Sequence, residues 1–329
     1  MISRVYNNYM LRKNVLISCA GRRVELVQYF KSALSKISND AKVFASDLNP
    51  NLSSACYVAD HNIETIPIND DNYIDFLLKE CKKNDIGLII PTIDTELSVL
   101  SQNTQLFLDN AIEIIISSPD LISKCRDKRI TYDLFDRIGI HSPKIFNKSN
   151  IVFPCFCKPY DGSNSSGASI INSKNDLTPE IENNEKNIFM ELISKNYREY
   201  TIDAYFDRNE VLKCLIPRER IEVRAGEVSK GITRKNYVYD YLKDKLNQLE
   251  GARGCVTVQV FGDPKSEDVK GLEVNPRFGG GFPLGYSAGG TFPDWILNEY
   301  FQNKEIEFYE DWKDNLLMLR YDSMVINEN

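Results

Sequence analysis

Short apolar runs alternate with amphipathic segments through the first third of the chain. Four of these runs have the length of a buried strand, and they lie at residues 14–20, 42–49, 86–92 and 111–118. Between them, residues 22–34 and 72–83 carry apolar side chains at helical spacing. This alternation predicts an open parallel sheet with helices packed on its faces.

Polar residues follow three of the predicted strands, at positions 19–23, 47–49 and 92–96. Parallel sheets bind ligands beyond the carboxyl ends of their strands, so these residues predict one edge of a small-molecule site. The dinucleotide fingerprint is missing because three non-glycine residues follow Gly21, which disfavours NAD. Taken singly, Asp47, Asp94 and Glu96 are also typical of helix caps or first-turn acids.

The pattern changes after Pro119. Residues 121–140 predict charged helical turns that end at Gly139, and a second charged helix is predicted over 241–251. Antiparallel strands with helices on one side of them predict an α+β second domain. The predicted strands lie at residues 153–158, 168–171, 211–217, 254–262 and 270–276, with two more within 188–206.

Composition excludes several classes of protein. The 329 residues include 40 Lys and Arg against 47 Asp and Glu, a net charge of −7 that is the opposite of a nucleic-acid-binding footprint. The chain lacks an apolar segment of about 20 residues, the length a membrane helix needs. Its eight irregularly spaced cysteines favour reduced thiols and a cytoplasmic protein. Cys155 and Cys157 share one face of a strand without a second pair or a nearby histidine, so we expect buried thiols instead of a metal site.

A loop rich in glycine and serine follows the predicted strand that ends at Lys158. Small residues let a backbone approach a ligand, and successive amide groups can surround an anion such as a phosphate. Taken alone, the loop is more typical of an ordinary hairpin connection than of a phosphate site. The Walker pattern is not satisfied because Ala168 follows Gly167.

Two neighbouring predicted strands carry oxygen donors that suit a hard cation. Gln259 lies in one strand and Glu273 in the next, and alternation places Glu273 and Asn275 on one face. Mg²⁺ prefers one or two carboxylates, together with waters and substrate phosphates, over a full protein cage. Arg277 would then contact a phosphate oxygen of the bound substrate. The run 273–277 alone is also consistent with a strand that ends in a proline turn with solvated charges.

The cation site, the loop after Lys158 and a basic segment at Lys128 together describe a nucleoside triphosphate held between two sheets. From residue 14 onward, the chain resembles the ATP-grasp superfamily. Within it, the resemblance is greatest to the carbamoyl phosphate synthase large-subunit-like carboxylate-amine ligases. These motifs are specific for the superfamily and do not identify the substrate.

The resemblance implies a two-domain organisation. Residues 14–118 correspond to an α/β N-terminal Rossmann-like (pre-ATP-grasp) domain, preceded by an N-terminal extension at residues 1–13. An α+β ATP-grasp fold follows over residues 119–329. The resemblance further divides it into a lid subdomain at about 150–190 and a C-terminal metal and substrate subdomain at about 191–320.

The resemblance also assigns an ATP site residue by residue. Lys128 and Lys158 are similar to the family's two phosphate-binding lysines, and Arg277 is similar to the arginine that stabilises the transferring phosphoryl group. Glu191 matches the hinge that binds adenine, and Glu199 matches the acid that binds the ribose. The remaining assignments are the lid contacts Gly162, Ser165, Ser166 and Gly167, the hinge backbone of Leu192 and Ile193, and the metal ligands Gln259, Glu273 and Asn275.

The substrate positions are the least specific part of the resemblance. Relatives that join a carboxylate to an amine hold the carboxylate in the region of a basic segment, which here contains Arg218, Arg220, Arg224, Lys230 and Arg234. A solvated basic hairpin is the competing interpretation. Asp94 and the glycine-rich segment 278–290, predicted as a loop before a helix that begins near Phe292, complete the expected substrate region.

The resemblance implies an ATP- and Mg²⁺-dependent ligase, with Mn²⁺ as a substitute metal. Its small-molecule carboxylate and amine would be joined through an acyl phosphate, with release of ADP and phosphate. A homodimer is expected at the family level, and neither a nucleic acid nor a membrane is an expected partner. Two alternatives stay open: a small-molecule kinase or phosphotransferase on the same fold, and a nucleotide-binding protein without turnover.

Overall fold

The four apolar runs of the first third form strands of a parallel sheet, as predicted, and a fifth strand that was not predicted completes this sheet. The computed structural model describes residues 12–162, 167–224 and 226–327. The strands of this sheet are β1 (Asn14–Ser18), β2 (Val43–Asp47), β3 (His61–Glu64), β4 (Ile86–Pro91) and β5 (Glu113–Ile114). Their order is β3-β2-β1-β4-β5, so the direction of winding reverses between β1 and β4. A ligand crevice is expected at the carboxyl ends of strands at such a reversal.

Helices cover both faces of this sheet, which is why its strands are apolar without alternation. Val15 and Ile17 belong to one core cluster, and Leu16 belongs to the other. The helices are α1 (Val24–Ser35), α2 (Ser54–Val58), α3 (Tyr73–Lys83), α4 (Asp94–Gln102) and α5 (Thr104–Leu108), with a 3₁₀ turn at Pro50–Leu52.

A small antiparallel sheet follows the helices α6 (Pro119–Arg126) and α7 (Lys128–Arg137). Ser118 and Asp127 cap these two helices through their side-chain oxygens. The strands, ordered β6-β9-β7-β8, are β6 (Ile145–Phe146), β7 (Cys155–Pro159), β8 (Ser169–Ile171) and β9 (Asn187–Glu191), with α8 (Pro179–Asn183) and a 3₁₀ turn (Lys174–Asp176) between β8 and β9. The thiols of Cys155 and Cys157 are unpaired and buried in the core of this sheet, as predicted.

A larger antiparallel sheet of six strands forms the base of the second domain. Its order is β14-β13-β10-β11-β12-β15, from β10 (Arg198–Phe206), β11 (Leu212–Arg224), β12 (Glu227–Thr233), β13 (Gly254–Gly262), β14 (Val269–Asn275) and β15 (Leu317–Leu319). The helices of this part are α9 (Tyr237–Leu246), α10 (Phe282–Ala288) and α11 (Phe292–Gln302). A parallel-sheet domain followed by a part with two antiparallel sheets agrees with the predicted α/β and α+β organisation. No helix in the described part of the chain is long and apolar enough to cross a membrane.

The glycine-rich segment after Arg277 is not entirely a loop, so that prediction was wrong. Residues 282–288 form α10, because Pro283 suits the first turn of a helix and the segment packs on the six-stranded sheet. Gly285 is required inside this helix, since a Cβ there would collide with the carboxylate of Asp203. Composition alone pointed to a loop because glycine lowers helix propensity in the absence of packing.

A fully buried ion pair ties β10 to β11 beneath α10. Asp203 is 0% exposed and Arg218 is 1% exposed. The guanidinium donates from Nε to Oδ2 at 2.6 Å and from Nη2 to Oδ1 at 2.8 Å, while Nη1 has no partner among the described residues. Each charge is out of water, so each depends on the other for its stability.

Replacing Asp203 with alanine is therefore expected to lower the free energy of unfolding by about 3–5 kcal/mol, because it leaves the buried Arg218 without a counter-charge. The double variant Asp203→Leu with Arg218→Met should recover most of this loss, since it removes both desolvation costs. Urea unfolding of the three proteins measures the effect. An alanine variant as stable as the parent would contradict the role given to this pair.

Candidate active site

Two amide side chains converge on one carboxylate oxygen of Glu273 where β13 and β14 pair. Gln259 lies opposite Glu273 in the strand register, and Asn275 lies two residues further along β14. Gln259 Nε2 donates to Glu273 Oε1 at 2.7 Å, and Asn275 Nδ2 donates to the same oxygen at 3.0 Å. All three side chains are half-buried, so they are accessible to a ligand.

This donor set fits a magnesium ion. Rotation of each side-chain amide by 180° exchanges its nitrogen and oxygen atoms. The two amide oxygens are then directed towards the position that faces the Glu273 carboxylate. For Gln259, the rotation gives up the hydrogen bond that its Oε1 accepts from Arg220 Nη1 at 3.3 Å. One carboxylate and two amide oxygens leave coordination positions for waters and substrate phosphates, which is the arrangement that Mg²⁺ prefers.

Two lysines lie close enough to Glu273 for its charge to act on both. Lys128, the first residue of α7, is buried and donates to the carbonyl oxygen of Gly162 at 2.5 Å. Burial lowers the pKa of Lys128, and Glu273 partly opposes that effect. Burial, followed by the charge of Lys128, lowers the pKa of Lys158 to about 8, and Glu273 and Glu199 oppose it. Within the described residues, the ammonium group of Lys158 has no hydrogen bond.

The glycine- and serine-rich loop is described only at its two ends. Ser165 and Ser166 lie outside the described residues. Gly162 and Gly167 both pack on Pro159, where an added Cβ would lie 3.3 Å and 3.2 Å from the ring. Gly167 also has a φ of +72°, which favours glycine over residues with a side chain.

The predicted adenine and ribose residues are engaged in ion pairs. Both carboxylate oxygens of Glu191 accept from Lys270 Nζ, at 2.8 Å and 3.0 Å. Leu192 and Ile193 follow directly after the end of β9 and are half-buried. Glu199 lies 3.0 Å from Arg220 Nη1. Burial raises the pKa of Glu199, and the positive charge of Arg220 opposes this shift.

An ion pair between Arg277 and Asp94 connects the two domains. Arg277 Nε and Nη2 donate to the two oxygens of Asp94 at 2.9 Å and 2.6 Å. Arg23 joins them from the carboxyl end of β1 and donates from Nη2 to the carbonyl oxygen of Thr92 at 2.9 Å. Burial and the nearby charge of Arg277 lower the pKa of Arg23 to about 10. The sequence signal for Arg23 was a pair of arginines directly after the strand-end Gly21, but its proximity to Arg277 was not predictable.

The basic segment divides into a protected and an exposed part. Arg220 is paired with Glu199, and Arg234 Nε donates to Glu219 at 2.9 Å. Arg218 pairs with Asp203, so all three arginines belong to ion pairs whose side chains are buried or partly buried. The two residues that fit a solvated hairpin are Arg224, which contacts Asp322, and Lys230, which contacts Glu222.

Family comparisons agree with this architecture along most of the chain. Residues 15–115 match the model of the PylC-like N-terminal domain. Residues 125–281 match the model of the ATP-grasp domain. The second domain is therefore an ATP-grasp domain. No curated protein matches the chain in a sequence search.

Solved structures with the ATP-grasp arrangement superpose on nearly the whole chain. The biotin carboxylase domain of 2-oxoglutarate carboxylase from Hydrogenobacter thermophilus, bound to MgADP, ADP and bicarbonate, has a TM-score of 0.72 at 16% identity and covers 93% of this chain and 73% of its own. The N5-carboxyaminoimidazole synthetase of Staphylococcus aureus, bound to ADP, has a TM-score of 0.67 at 18% identity, with coverage of 86% and 76%. The L-amino acid ligase of Bacillus licheniformis has a TM-score of 0.66 at 12% identity, with coverage of 88% and 74%. At these identities the likeness establishes the fold.

The unusual environment of Lys158 has a measurable consequence. The pKa of its ammonium group is expected to be about 8, whereas the pKa of an exposed lysine is about 10.4. Glu273→Gln should lower the pKa of Lys158 further, because the carboxylate stabilises the charged form. NMR titration of the protein with ¹³C-methylated lysines measures both values, and Lys158→Arg identifies the resonance. If the Lys158 resonance had the same pKa as the exposed lysines, this would contradict the lowered pKa of Lys158.

Proposed function

We propose that this protein is an ATP- and Mg²⁺-dependent ligase that joins a carboxylate to an amine through an acyl phosphate, with release of ADP and phosphate. The observation that carries the proposal is the position of Lys128 and Lys158 around the Gln259, Glu273 and Asn275 set. Two partly desolvated ammonium groups beside a cation site match a triphosphate that binds with its metal.

The nucleotide would lie between the four-stranded and six-stranded sheets. Lys128 and Lys158 would bind its phosphates, and the residues from Glu191 to Ile193 would bind the adenine edge. Glu199 would accept hydrogen bonds from the ribose. Related structures with the same fold contain ADP, and one of them contains it as a magnesium salt, which supports this placement.

The metal site would be formed by Gln259, Glu273 and Asn275. Magnesium, or manganese in its place, would neutralise phosphate charge and align the triphosphate for in-line transfer. Glu273 is the one carboxylate of this set. Its charge also opposes the lowering of the pKa of both lysines by burial, so it would have two roles in the site.

The reaction would proceed in two displacements. A carboxylate oxygen of the first substrate attacks the γ-phosphorus, the bond from that phosphorus to the bridging oxygen of ADP breaks, and an acyl phosphate forms. The amine then attacks the acyl carbon, phosphate leaves, and the amine nitrogen gives up a proton. Arg277, held by Asp94, retains N–H donors on Nη1 and Nη2 that can stabilise the charge of the transferring group.

The first substrate would bind near the arginines at the domain boundary. Arg220 and Arg234 each have an acidic partner, and Arg23 has a carbonyl oxygen as its hydrogen-bond acceptor. Arg218 would act mainly by supporting this surface, since it is buried on Asp203.

Small molecules are therefore the proposed partners. A homodimer is a further proposal, and the eight unpaired cysteines support a reducing, cytoplasmic compartment.

Measurement of ADP release against a panel of carboxylates and amines tests this function. A ligase should release ADP when both substrates are present. The partial reaction, which forms the acyl phosphate, should also release ADP with the carboxylate alone. Mass spectrometry should find a new amide in the product. A stable phosphorylated product without an amide would identify a kinase, and the absence of stimulation by any pair would contradict turnover.

Replacement of Glu273 with alanine should reduce Mg²⁺-dependent ADP release by at least about 10²-fold, the scale expected when a charged group that stabilises the transition state is removed. The fold should be retained because Glu273 is half-buried at the sheet surface. Steady-state kinetics over a range of Mg²⁺ concentrations measures the effect, with far-UV circular dichroism to confirm folding. Glu250→Ala, at an exposed position, is the matched control. An unchanged rate in the Glu273 variant would contradict the metal assignment.

A further inference from the structure

An ion pair joins the two antiparallel sheets of the ATP-grasp domain. Glu191 is the last residue of β9 in the four-stranded sheet, and Lys270 is the second residue of β14 in the six-stranded sheet. Lys270 Nζ lies 2.8 Å from Oε1 and 3.0 Å from Oε2 of the carboxylate. The glutamate side chain is 38% exposed and the lysine side chain is 18% exposed, so the carboxylate can still accept a further hydrogen bond.

Backbone hydrogen bonds hold both ends of this ion pair in place. The N–H group of Glu191 donates to the carbonyl oxygen of Lys144 at 2.8 Å, and the N–H group of Lys144 donates back to Glu191 Oε2 at 3.3 Å. The N–H group of Gly271 donates to the carbonyl oxygen of His141 at 2.7 Å. The Glu191 carboxylate therefore has a fixed orientation that depends on Lys270 for its only ionic contact among the described residues.

A charged carboxylate held opposite position 6 of a purine distinguishes adenine from guanine. Adenine presents an amino group at position 6, which donates to a carboxylate oxygen. Guanine presents a carbonyl oxygen at that position, which a carboxylate repels. In that position guanine would lose the hydrogen bond that adenine donates and would bring its carbonyl oxygen towards the carboxylate, so a guanine nucleotide should bind less tightly.

We propose that Lys270 is a positioning residue that makes the site specific for adenine over guanine, by holding the Glu191 carboxylate towards the purine. This inference rests on the proposed function, because it requires a nucleotide at the end of β9. Lys270 acts through Glu191 and from the opposite sheet, so it also connects base recognition to the contact between the two sheets.

Isothermal titration with MgATP and MgGTP, in the absence of other substrates, tests the proposal. The parent protein should bind ATP at least about tenfold more tightly than GTP, which is the size of discrimination that one misplaced hydrogen-bonding group produces. Lys270→Met should weaken ATP binding several-fold with little change for GTP, so the preference falls. Lys270→Arg should restore it, because a guanidinium can pair with the same carboxylate.

Lys144→Met is the matched control. The Lys144 side chain is exposed, and its ammonium group makes no ion pair among the described residues, whereas its backbone contacts to Glu191 would be kept. This variant should keep the preference of the parent. A Lys270→Met variant with the parental preference, or one that loses ATP and GTP equally, would overturn the proposal.

A second variant keeps the proposal testable if Lys270→Met does not fold. Glu191→Gln should lower or reverse the preference, because an amide can donate to the guanine carbonyl oxygen. Retention of the preference in that variant would also overturn the proposal. A parent protein that binds neither nucleotide would contradict the proposed function itself, whereas a parent that prefers ATP with insensitive variants would contradict only the role of Lys270.

Discussion

Positive charge held partly out of water is the constraint on which the candidate site depends. Burial lowers the pKa of both Lys128 and Lys158, and the charge of Lys128 lowers the pKa of Lys158 further. The nearby Glu273 carboxylate offsets only part of this cost, because it serves two lysines. An anion that enters between them would remove the remaining penalty. The free energy needed to keep these two ammonium groups partly out of water would thus be offset by a bound polyphosphate.

Two rigid connections keep these charges at fixed positions. The buried pair of Asp203 and Arg218 fixes β10 to β11 under α10, so the segment after Arg277 has a firm base. The pair of Arg277 and Asp94 fixes the segment that follows β14 to the parallel-sheet domain. Both pairs are bidentate, which restricts the angle of each guanidinium as well as its position. A candidate phosphoryl-transfer site needs this kind of positioning more than it needs a reactive side chain.

Local patterns in the sequence predicted much of the fold. The apolar runs and the helical spacing of residues 24–34 predicted the parallel sheet and α1, and the acidic and amide residues of β13 and β14 predicted a polar cluster that the structure brings together. Short elements such as β3 and β15 were missed because four or three residues give too little periodicity.

Contacts between distant segments could not be predicted in this way. Asp94 and Arg277 are 183 positions apart, and Lys270 and Glu191 are 79 apart, so no spacing rule connects them. The family resemblance placed Arg218 among the expected carboxylate-binding residues. Its burial on Asp203 depends on the pairing of β10 with β11, which sequence composition does not specify. The same limit applies to α10, whose helical state depends on packing against the six-stranded sheet.

Thermal unfolding with ATP, ADP and GTP, each with and without Mg²⁺, tests the central claim most directly. A ligand that binds only the folded state raises the midpoint of unfolding by mass action. The rise should be largest for ATP with Mg²⁺ and much smaller in a Lys158→Met variant. The same midpoint with and without every nucleotide would contradict the claim that these charges form a nucleotide site.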